Sequence, residues 1–224
     1  MFHPQLVPAG RPPAPKGGWR PGSPHGRWVR YPWAVPAFPL AEVDRLPFTA
    51  DPAADRLLVE EPMALLVGFI LDQQVPLQRA FSAPLELRAR VGTLDAGELL
   101  GLPPGVLEEA FRRPPALHRF PQMMAARLLE ACQLLEARYG GDPVRIWEGV
   151  AAAPELRQRL LELPGVGPMK AETIQALLAL QLGVRPKGWE AALPDHPTLA
   201  EVRDEGQLRA YQAWKRESKL AARR

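Results

Sequence analysis

The chain has 224 residues, of which 46% are hydrophobic and 24% charged, and its formal net charge is +3 at pH 7. This composition is ordinary for a globular protein and argues against a fibrous or disordered chain. The single cysteine, Cys132, excludes an internal disulfide, a four-thiolate zinc site and a cysteine-held iron–sulfur cluster. The longest apolar run, Met63–Leu71, is shorter than the ~20 residues of a membrane span, and no signal peptide is recognisable. We therefore expect a cytoplasmic protein without a membrane partner.

Residues 1–47 are predicted to form a basic arm rich in proline and glycine. The first 40 residues carry five lysine or arginine residues and no acidic residue. They have no helical or strand periodicity, so we expect an extended or disordered segment. The stretch Lys215–Arg224 is basic as well. Basic ends on a nearly neutral body suit a polyanionic partner, and solvated tails without a specific ligand explain them equally well.

From residue 48 to residue 224 the pattern is helical, and no alternating run predicts a strand. Prolines mark helix starts and glycines mark helix ends. The sequence therefore predicts an all-α domain over residues 48–224. Its predicted helices are Asp51–Glu60, Met63–Val75, Leu77–Val91, a short helix from the caps Thr93 and Asp95 to Leu100, Pro104–Phe111, Gln122–Tyr139, Val144–Ala151, Glu155–Leu163, Met169–Leu182 and Glu205–Ala221.

The most informative stretch is the nine-residue string Leu163–Ala171, which reads LPGVGPMKA. It joins two predicted helices through a turn that is too tight for ordinary side chains. Gly165 and Gly167 supply backbone freedom and let another backbone approach closely. Val166 is expected to point back into the core, and Pro168 suits the first turn of the second helix.

A turn of this kind leaves backbone N–H groups unpaired at the positive end of a helix dipole. The N–H groups of Gly167, Met169 and Lys170 are predicted to form an anion site fit for a phosphate. Lys170 is expected to add a positive charge beside it. Phosphate contacts hold a protein on DNA without reading its sequence. A glycine-containing helix–helix turn without any ligand is the alternative.

The string closely resembles the hairpin of the helix-hairpin-helix (HhH-GPD) superfamily of base-excision DNA glycosylases. Upstream, Leu65–Pro76 (LLVGFILDQQVP) resembles the early helix of that superfamily and its glutamine-containing turn. The order of the Pro121–Tyr139 helix, its Gly140-Gly141 stop and the hairpin agrees as well. The resemblance covers roughly Phe48–Lys219 and is closest to a small bacterial branch without an iron–sulfur cluster.

This resemblance implies a two-lobed helical fold whose groove binds double-stranded DNA, in a monomeric protein associated with the nucleoid. It implies no cofactor and no metal held by side chains. A K⁺ or Na⁺ ion bound by carbonyl groups of the hairpin is compatible with it.

The glutamines of the early turn have a role in relatives of this superfamily. There a polar residue enters the base stack where the damaged base has been flipped out. Gln73 and Gln74 match that place, and an amide can satisfy the orphaned partner base. The alternative is a pair of glutamines at a helix end that bond loose carbonyl groups.

Glycosylases of this superfamily use an aspartate past the second hairpin helix to stabilise the cationic sugar or to activate water. The matching stretch, Lys187–Glu190, contains no aspartate. Asp195 is the first candidate, because its Leu-Pro-Asp-His segment resembles the Leu-Pro-Asp-Asp segment of 3-methyladenine glycosylases. In that comparison His196 falls on the catalytic place. Glu190 is the second candidate, and the alternative is that Asp195 only forms a turn and no competent carboxylate exists.

Two further positions bear on the chemistry. Bifunctional members of the superfamily carry a Schiff-base lysine where Met169 stands, so we expect no lyase activity. Trp189 is expected to wall a base pocket, with packing in the core as its alternative role.

The sequence thus predicts a DNA-binding protein of base-excision repair, and more narrowly a monofunctional glycosylase that acts on damaged bases. An alkylated base suits a weak catalyst, because its positive charge already makes it a good leaving group. The first alternative is a non-catalytic helix-hairpin-helix protein that recognises damaged or bent duplex. The second is a protein-interaction adaptor that has kept the helical scaffold.

Overall fold

The computed structural model describes residues 19–21, 28–30 and 43–221. Apart from one pair of short strands, the regular structure of these residues is helical, which confirms the predicted all-α class. None of the described helices is long and apolar enough to cross a membrane. The elements in chain order are β1 (Trp19–Pro21), β2 (Trp28–Arg30), α1 (Pro52–Glu60), α2 (Pro62–Leu71), α3 (Leu77–Val91), α4 (Ala96–Leu100), α5 (Val106–Arg112), α6 (Pro121–Tyr139), α7 (Ala153–Leu161), α8 (Pro168–Gln181) and α9 (Glu205–Ala221), with 3-10 turns at Pro143–Ile146 and Leu199–Glu201.

The strands β1 and β2 pair antiparallel within the predicted arm, with Trp19 opposite Arg30. The sequence analysis missed them, because each strand has three residues and an alternating pattern needs a longer run. The other residues of the arm up to 42 lie outside the described residues. The helical body begins before the predicted residue 48, since Leu46 is fully buried and the N–H of Val43 donates to Gln181 O at 3.3 Å.

Local sequence signals explain many helix ends. Asp51 caps α1 by accepting the N–H of Ala53 at 2.8 Å. Gly140 ends α6 in the left-handed conformation that glycine adopts easily. Asp55, in the first turn of α1, is buried, and its carboxylate accepts the N–H of Thr49 at 2.8 Å. Burial raises the pKa of Asp55, while these hydrogen bonds oppose that shift.

Two predicted helices are shorter in the structure. Helix α2 ends at Leu71 instead of residue 75, because Asp72 leaves the helical conformation with a ψ of 66° and Gln74 then takes a positive φ of 56°. The predicted helix Val144–Ala151 is reduced to the 3-10 turn Pro143–Ile146. The early end of α2 matters, because it frees a polar turn, residues 72–76, next to the core.

Helix α2 forms the centre of the core. Every residue from Met63 to Leu71 is buried. Gly68 lets α3 pack closely against α2, since a Cβ atom at Gly68 would lie 2.5 Å from the ring of Phe81. On α6, Cys132 is fully buried, and burial raises the pKa of its thiol to about 12. A buried α2 holds the turn that follows it in a fixed position.

Helix α9 is tied to α8 through the segment between them. The buried Gln181 side chain, at the end of α8, donates to Ala200 O at 2.9 Å and to Val202 O at 3.0 Å. These bonds fix the 3-10 turn Leu199–Glu201 against α8. Helix α9 then buries Tyr211, and this arrangement brings α9 beside the start of α8.

Candidate nucleic-acid interface and pocket

The hairpin between α7 and α8 presents open backbone amides. Gly165, Gly167 and Met169 are exposed, Met169 to 72%. Within the described part of the chain, no acceptor pairs with the N–H groups of these residues or of Lys170. The first bonded amide of α8 is that of Ala171, which donates to Gly167 O at 2.9 Å. A helix that begins with free, exposed amides can accept an anion at this end.

The two glycines of the hairpin have different structural roles. Gly165 has a φ of +79°, and a Cβ atom there would lie 2.7 Å from Gln73 Nε2 and 2.9 Å from Arg127 Cδ. Gly167 has a φ of −89°, and a Cβ atom there would meet nothing within 4 Å. The packing of the fold therefore requires a glycine at 165 and does not require one at 167. Val166, between them, is buried, as the sequence predicts.

The turn after α2 lies against the hairpin, and its first glutamine is fully engaged. The Gln73 side chain donates to Ile70 O at 2.7 Å and accepts from Arg127 Nη1 at 2.6 Å. Its backbone carbonyl accepts from His118 Nε2 at 2.8 Å, while His118 Nδ1 accepts the N–H of Phe120. Burial lowers the pKa of His118, which favours this neutral ring. Gln73 thus bonds a local carbonyl, which is the alternative that the sequence left open.

Gln74 is placed differently from Gln73. It is exposed, and within the described residues its side chain makes no hydrogen bond. Its left-handed backbone is a conformation that costs a non-glycine residue about 1–2 kcal/mol. It lines a polar cavity of about 460 Å³, to which Lys215 and Arg216 of α9 also contribute. Of the two glutamines, Gln74 is the one available to a ligand.

A second cavity, of about 380 Å³, lies beside the hairpin, and we call it the aromatic pocket. Its volume is typical of small-molecule sites. The rings of His196 and Trp214 are stacked with centroids 6.3 Å apart, and Tyr211 packs on Trp214 at 6.1 Å. Such a wall can stack on a planar ligand. The lining residues are Phe69, Asp72, Met169, Lys170, Thr173, His196, Pro197, Thr198, Leu199, Tyr211, Trp214, Lys215 and Ser218.

Lys170, which was expected to add a positive charge beside the amides, lines this pocket. Its Nζ atom donates to Phe69 O at 2.7 Å and to Gly165 O at 3.0 Å. Lys170 therefore joins the hairpin to the end of α2. Burial lowers the pKa of Lys170 to about 8, although the nearby Asp72 opposes the shift. The side chain thus anchors the hairpin, and its contribution of positive charge to a phosphate site stays a prediction.

Neither predicted catalytic carboxylate lines the aromatic pocket. Asp195 has a side chain that is 59% exposed and lies 3.5 Å from His196 Nδ1. Glu190 is exposed as well. The lining carboxylate is Asp72, which stands directly before the glutamines in the LDQQVP string. Asp72 lies far before the hairpin along the chain. Sequence distance alone therefore gave no reason to consider it as a catalytic candidate.

The tryptophan in the pocket is also not the predicted one. Trp189 is partly buried against the core, with the guanidinium of Arg185 5.6 Å from its ring centroid, and it does not line the pocket. Trp214 of α9 does. Its position depends on how α9 packs against α8, and no local pattern reveals that contact.

The carbonyl groups of the hairpin limit where a K⁺ or Na⁺ ion could bind. Gly165 O already accepts the Lys170 ammonium group, and Leu163 O accepts the N–H of Val166 at 3.1 Å. Val166 O receives no hydrogen bond from the described residues and is left for such an ion. No group of three or more His, Cys, Asp and Glu residues in the described ranges could hold a metal.

No family model matches this chain, and no curated protein or solved structure matches it either. What can be inferred about function therefore comes from the open amides, the strained glutamine and the aromatic pocket.

Proposed function

We propose that this protein binds double-stranded DNA through the hairpin between α7 and α8 and acts as a monofunctional DNA glycosylase on damaged bases. The observation that carries the proposal is the position of the aromatic pocket directly beside the open amides, with Met169 and Lys170 belonging to both. A strand gripped at the hairpin is then close enough to deliver a flipped base. The two-lobed HhH-GPD fold and a monomeric state are part of this proposal.

Binding of a phosphate follows from the start of α8. The free N–H groups of Gly167, Met169 and Lys170 lie at the positive end of the helix dipole, where an anion is stabilised. Positive charge from Lys215 and Arg216 lies along the neighbouring polar cavity. These contacts favour any DNA backbone and give no base preference. Selectivity has to come from the pocket.

Gln74 would fill the space that a flipped base leaves in the duplex. It is exposed, carries a free amide and stands at the edge of the polar cavity next to the aromatic pocket. Gln73 supports this role from behind, because its bonds to Ile70 and Arg127 hold the turn rigid. The flipped base would stack on the wall of His196 and Trp214.

Asp72 is the carboxylate that the pocket offers for the chemistry. When the C1′–N bond breaks, its electron pair leaves with the base and the sugar becomes cationic. A carboxylate can stabilise that cation and take a proton from the water whose oxygen bonds to C1′. Asp195 and Glu190 would have to move toward bound DNA to replace it. No lyase step is proposed, because Met169 carries no amine.

A non-catalytic DNA-binding protein that recognises damaged or bent duplex is the second candidate. It is favoured by the exposure of Asp195 and Glu190 away from the pocket. In that case the pocket would hold a flipped base without releasing it.

Binding is tested by titrating a fluorescent duplex with the wild type and with Gly167→Glu. A carboxylate at 167 covers the amides, so we expect affinity to fall at least tenfold at low salt and the salt dependence to become shallower. Met123→Glu is the matched control, since it adds the same charge at a residue of α6 that is 46% exposed. An equal loss of affinity in both variants would overturn the hairpin as the contact.

Catalysis is tested by detecting the free base that is released from duplexes carrying single lesions. We expect Asp72→Asn to slow release roughly 10²-fold or more, and Asp195→Asn and Glu190→Gln to stay near the wild-type rate. Loss of release in either of the latter variants would identify the catalytic carboxylate instead. A wild type that binds lesions and releases no base is the second candidate function.

A further inference from the structure

The charges around the aromatic pocket are unequal. Among the lining residues described, Asp72 is the one carboxylate, whereas Lys170 and Lys215 supply two ammonium groups. Three more charged groups lie near the pocket without lining it. They are the buried Glu201, which accepts from Thr198, Asp195, which lies 3.5 Å from His196 Nδ1, and Arg127, which packs against the hairpin. The excess of positive charge is therefore confined to the groups that line the pocket itself, two ammonium groups against one carboxylate.

Lys170 is held in a way that leaves it one donor for a ligand. An ammonium group has three N–H bonds, and the carbonyls of Phe69 and Gly165 take two of them. Because the group is partly buried, its charge is poorly solvated, as the lowered pKa of Lys170 reflects. A negative charge that arrives in the pocket would therefore find a poorly solvated ammonium group already in position.

Building on the proposed glycosylase function, we propose that the pocket takes a neutral damaged base that departs as an anion, of which uracil is the probe. Breaking the C1′–N bond of such a base separates charge, because the sugar becomes positive and the base, which keeps the bond electrons, becomes negative. The pocket contains a group of opposite charge for the sugar and for the base. Asp72 suits the sugar, and Lys170 and Lys215 suit the base.

An alkylated purine, which the sequence analysis favoured, fits this pocket less well. Its base is positively charged before the bond breaks and neutral afterwards. It would enter a pocket with more ammonium than carboxylate groups, and its departure would gain nothing from Lys170 or Lys215. The aromatic wall of Trp214 attracts cations, but a neutral base stacks on the same ring.

The test compares two duplexes of identical sequence, one with a single uracil and one with a single 7-methylguanine. Release of each base by the wild-type protein is divided by its spontaneous release, because 7-methylguanine is intrinsically the better leaving group. We expect this acceleration to be at least tenfold greater for uracil. A greater acceleration for 7-methylguanine would overturn the inference and leave the glycosylase function standing.

A charge variant tests the physical cause. Lys215→Met removes one ammonium group without disturbing the bonds between Lys170 and the hairpin. Because Lys215 is also among the groups proposed to attract the DNA backbone, release is measured in single turnover with the duplex saturated by protein. Under these conditions we expect Lys215→Met to lower the acceleration for uracil at least fivefold more than that for 7-methylguanine. Arg56→Met is the control, since it removes one positive charge from an exposed residue of α1 outside the pocket.

The results distinguish a wrong substrate class from the absence of glycosylase activity. An equal fall for both bases in Lys215→Met would mean that Lys215 only attracts DNA, which contradicts the charge-separation argument. No release of either base from any duplex would overturn the proposed glycosylase function, and this inference with it.

Discussion

Two neighbouring turns of this protein differ in how their polar groups are bonded. In the turn after α2, Gln73 pairs its polar groups with the fold, since it bonds to Ile70, Arg127 and His118. The hairpin before α8 keeps its amides open. The two turns touch where Gly165 meets Gln73. Gln73, whose side chain and carbonyl are bonded within the protein, thus supports a hairpin whose amides are open.

The largest expected effect breaks the contact between the turns. Gly165→Ala would place a Cβ atom 2.7 Å from Gln73 Nε2 in a left-handed backbone, so we expect the free energy of unfolding to fall by about 2–4 kcal/mol. Gly167→Ala is the matched variant, because its Cβ atom meets nothing within 4 Å. It should cost less than about 1 kcal/mol. Urea unfolding measures both, and equal losses would contradict the distinction between the glycines.

The next largest effect is expected at His118, which bonds the backbone carbonyl of Gln73. His118→Ala leaves a partly buried carbonyl of Gln73 and the N–H of Phe120 without partners, so we expect a loss of about 1–3 kcal/mol. Arg119→Ala, at an exposed neighbour, should change the free energy of unfolding by less than about 1 kcal/mol.

The same histidine predicts a pH dependence. Because burial lowers the pKa of His118 below its usual 6.5, the unfolded state takes up a proton first as the pH falls. The stabilising contribution is therefore complete above pH 6.5 and is lost as the pH falls through the folded-state pKa. Unfolding measured between pH 7 and 5 should show a steeper loss for wild type than for His118→Ala, and parallel curves would contradict it.

Lys170, which joins the hairpin to the end of α2, predicts a second pH dependence of the same sign at higher pH. Burial lowers its pKa from 10.5 to about 8, so between these pH values the unfolded state binds more protons than the folded state. The stability that Lys170 contributes should rise over this window, by at most about 1.4 kcal/mol per pH unit. The groups facing it are Asp72, Arg127 and Lys215.

The measurement is the difference in free energy of unfolding between wild type and Lys170→Met from pH 7 to 10.5. Lys187→Met, at an exposed lysine, serves as the control. A difference that stays constant with pH would mean that Lys170 is solvated in the folded protein.

The smallest expected effect concerns the strained glutamine. Gln74→Gly relieves a φ of 56° but adds freedom to the unfolded chain, so we expect a gain of at most about 1 kcal/mol. Gln133→Gly, at an exposed position within α6, should instead lose about 1 kcal/mol. Lower affinity for lesion DNA in the more stable Gln74→Gly would indicate that the strain serves binding. A loss of stability would contradict the strain argument.

Much of the fold could be predicted from local signals, and the site could be predicted in part. The hairpin was recognised because Gly165, Gly167 and Pro168 act through backbone geometry, which is local. The position of Trp214 could not be predicted, because it depends on how α9 packs on α8. The direction of Lys170 depends on a carbonyl of α2 that is distant in sequence. The end of α2 is a third case, since the backbone leaves the helical conformation at Asp72, earlier than the apolar pattern suggested.

The buried thiol of Cys132 makes the protein suitable for labelling at a single introduced cysteine. It is the chain's one cysteine, and its burial and high pKa keep it from reacting while the protein is folded. A cysteine introduced at the exposed Met169 would therefore be the first to take up a maleimide dye, without removal of the natural one. A change in the fluorescence of the dye would then report whether nucleic acid binds at the start of α8. In the same sample, the slow reaction of Cys132 would measure the rate at which the protein opens enough to expose this thiol.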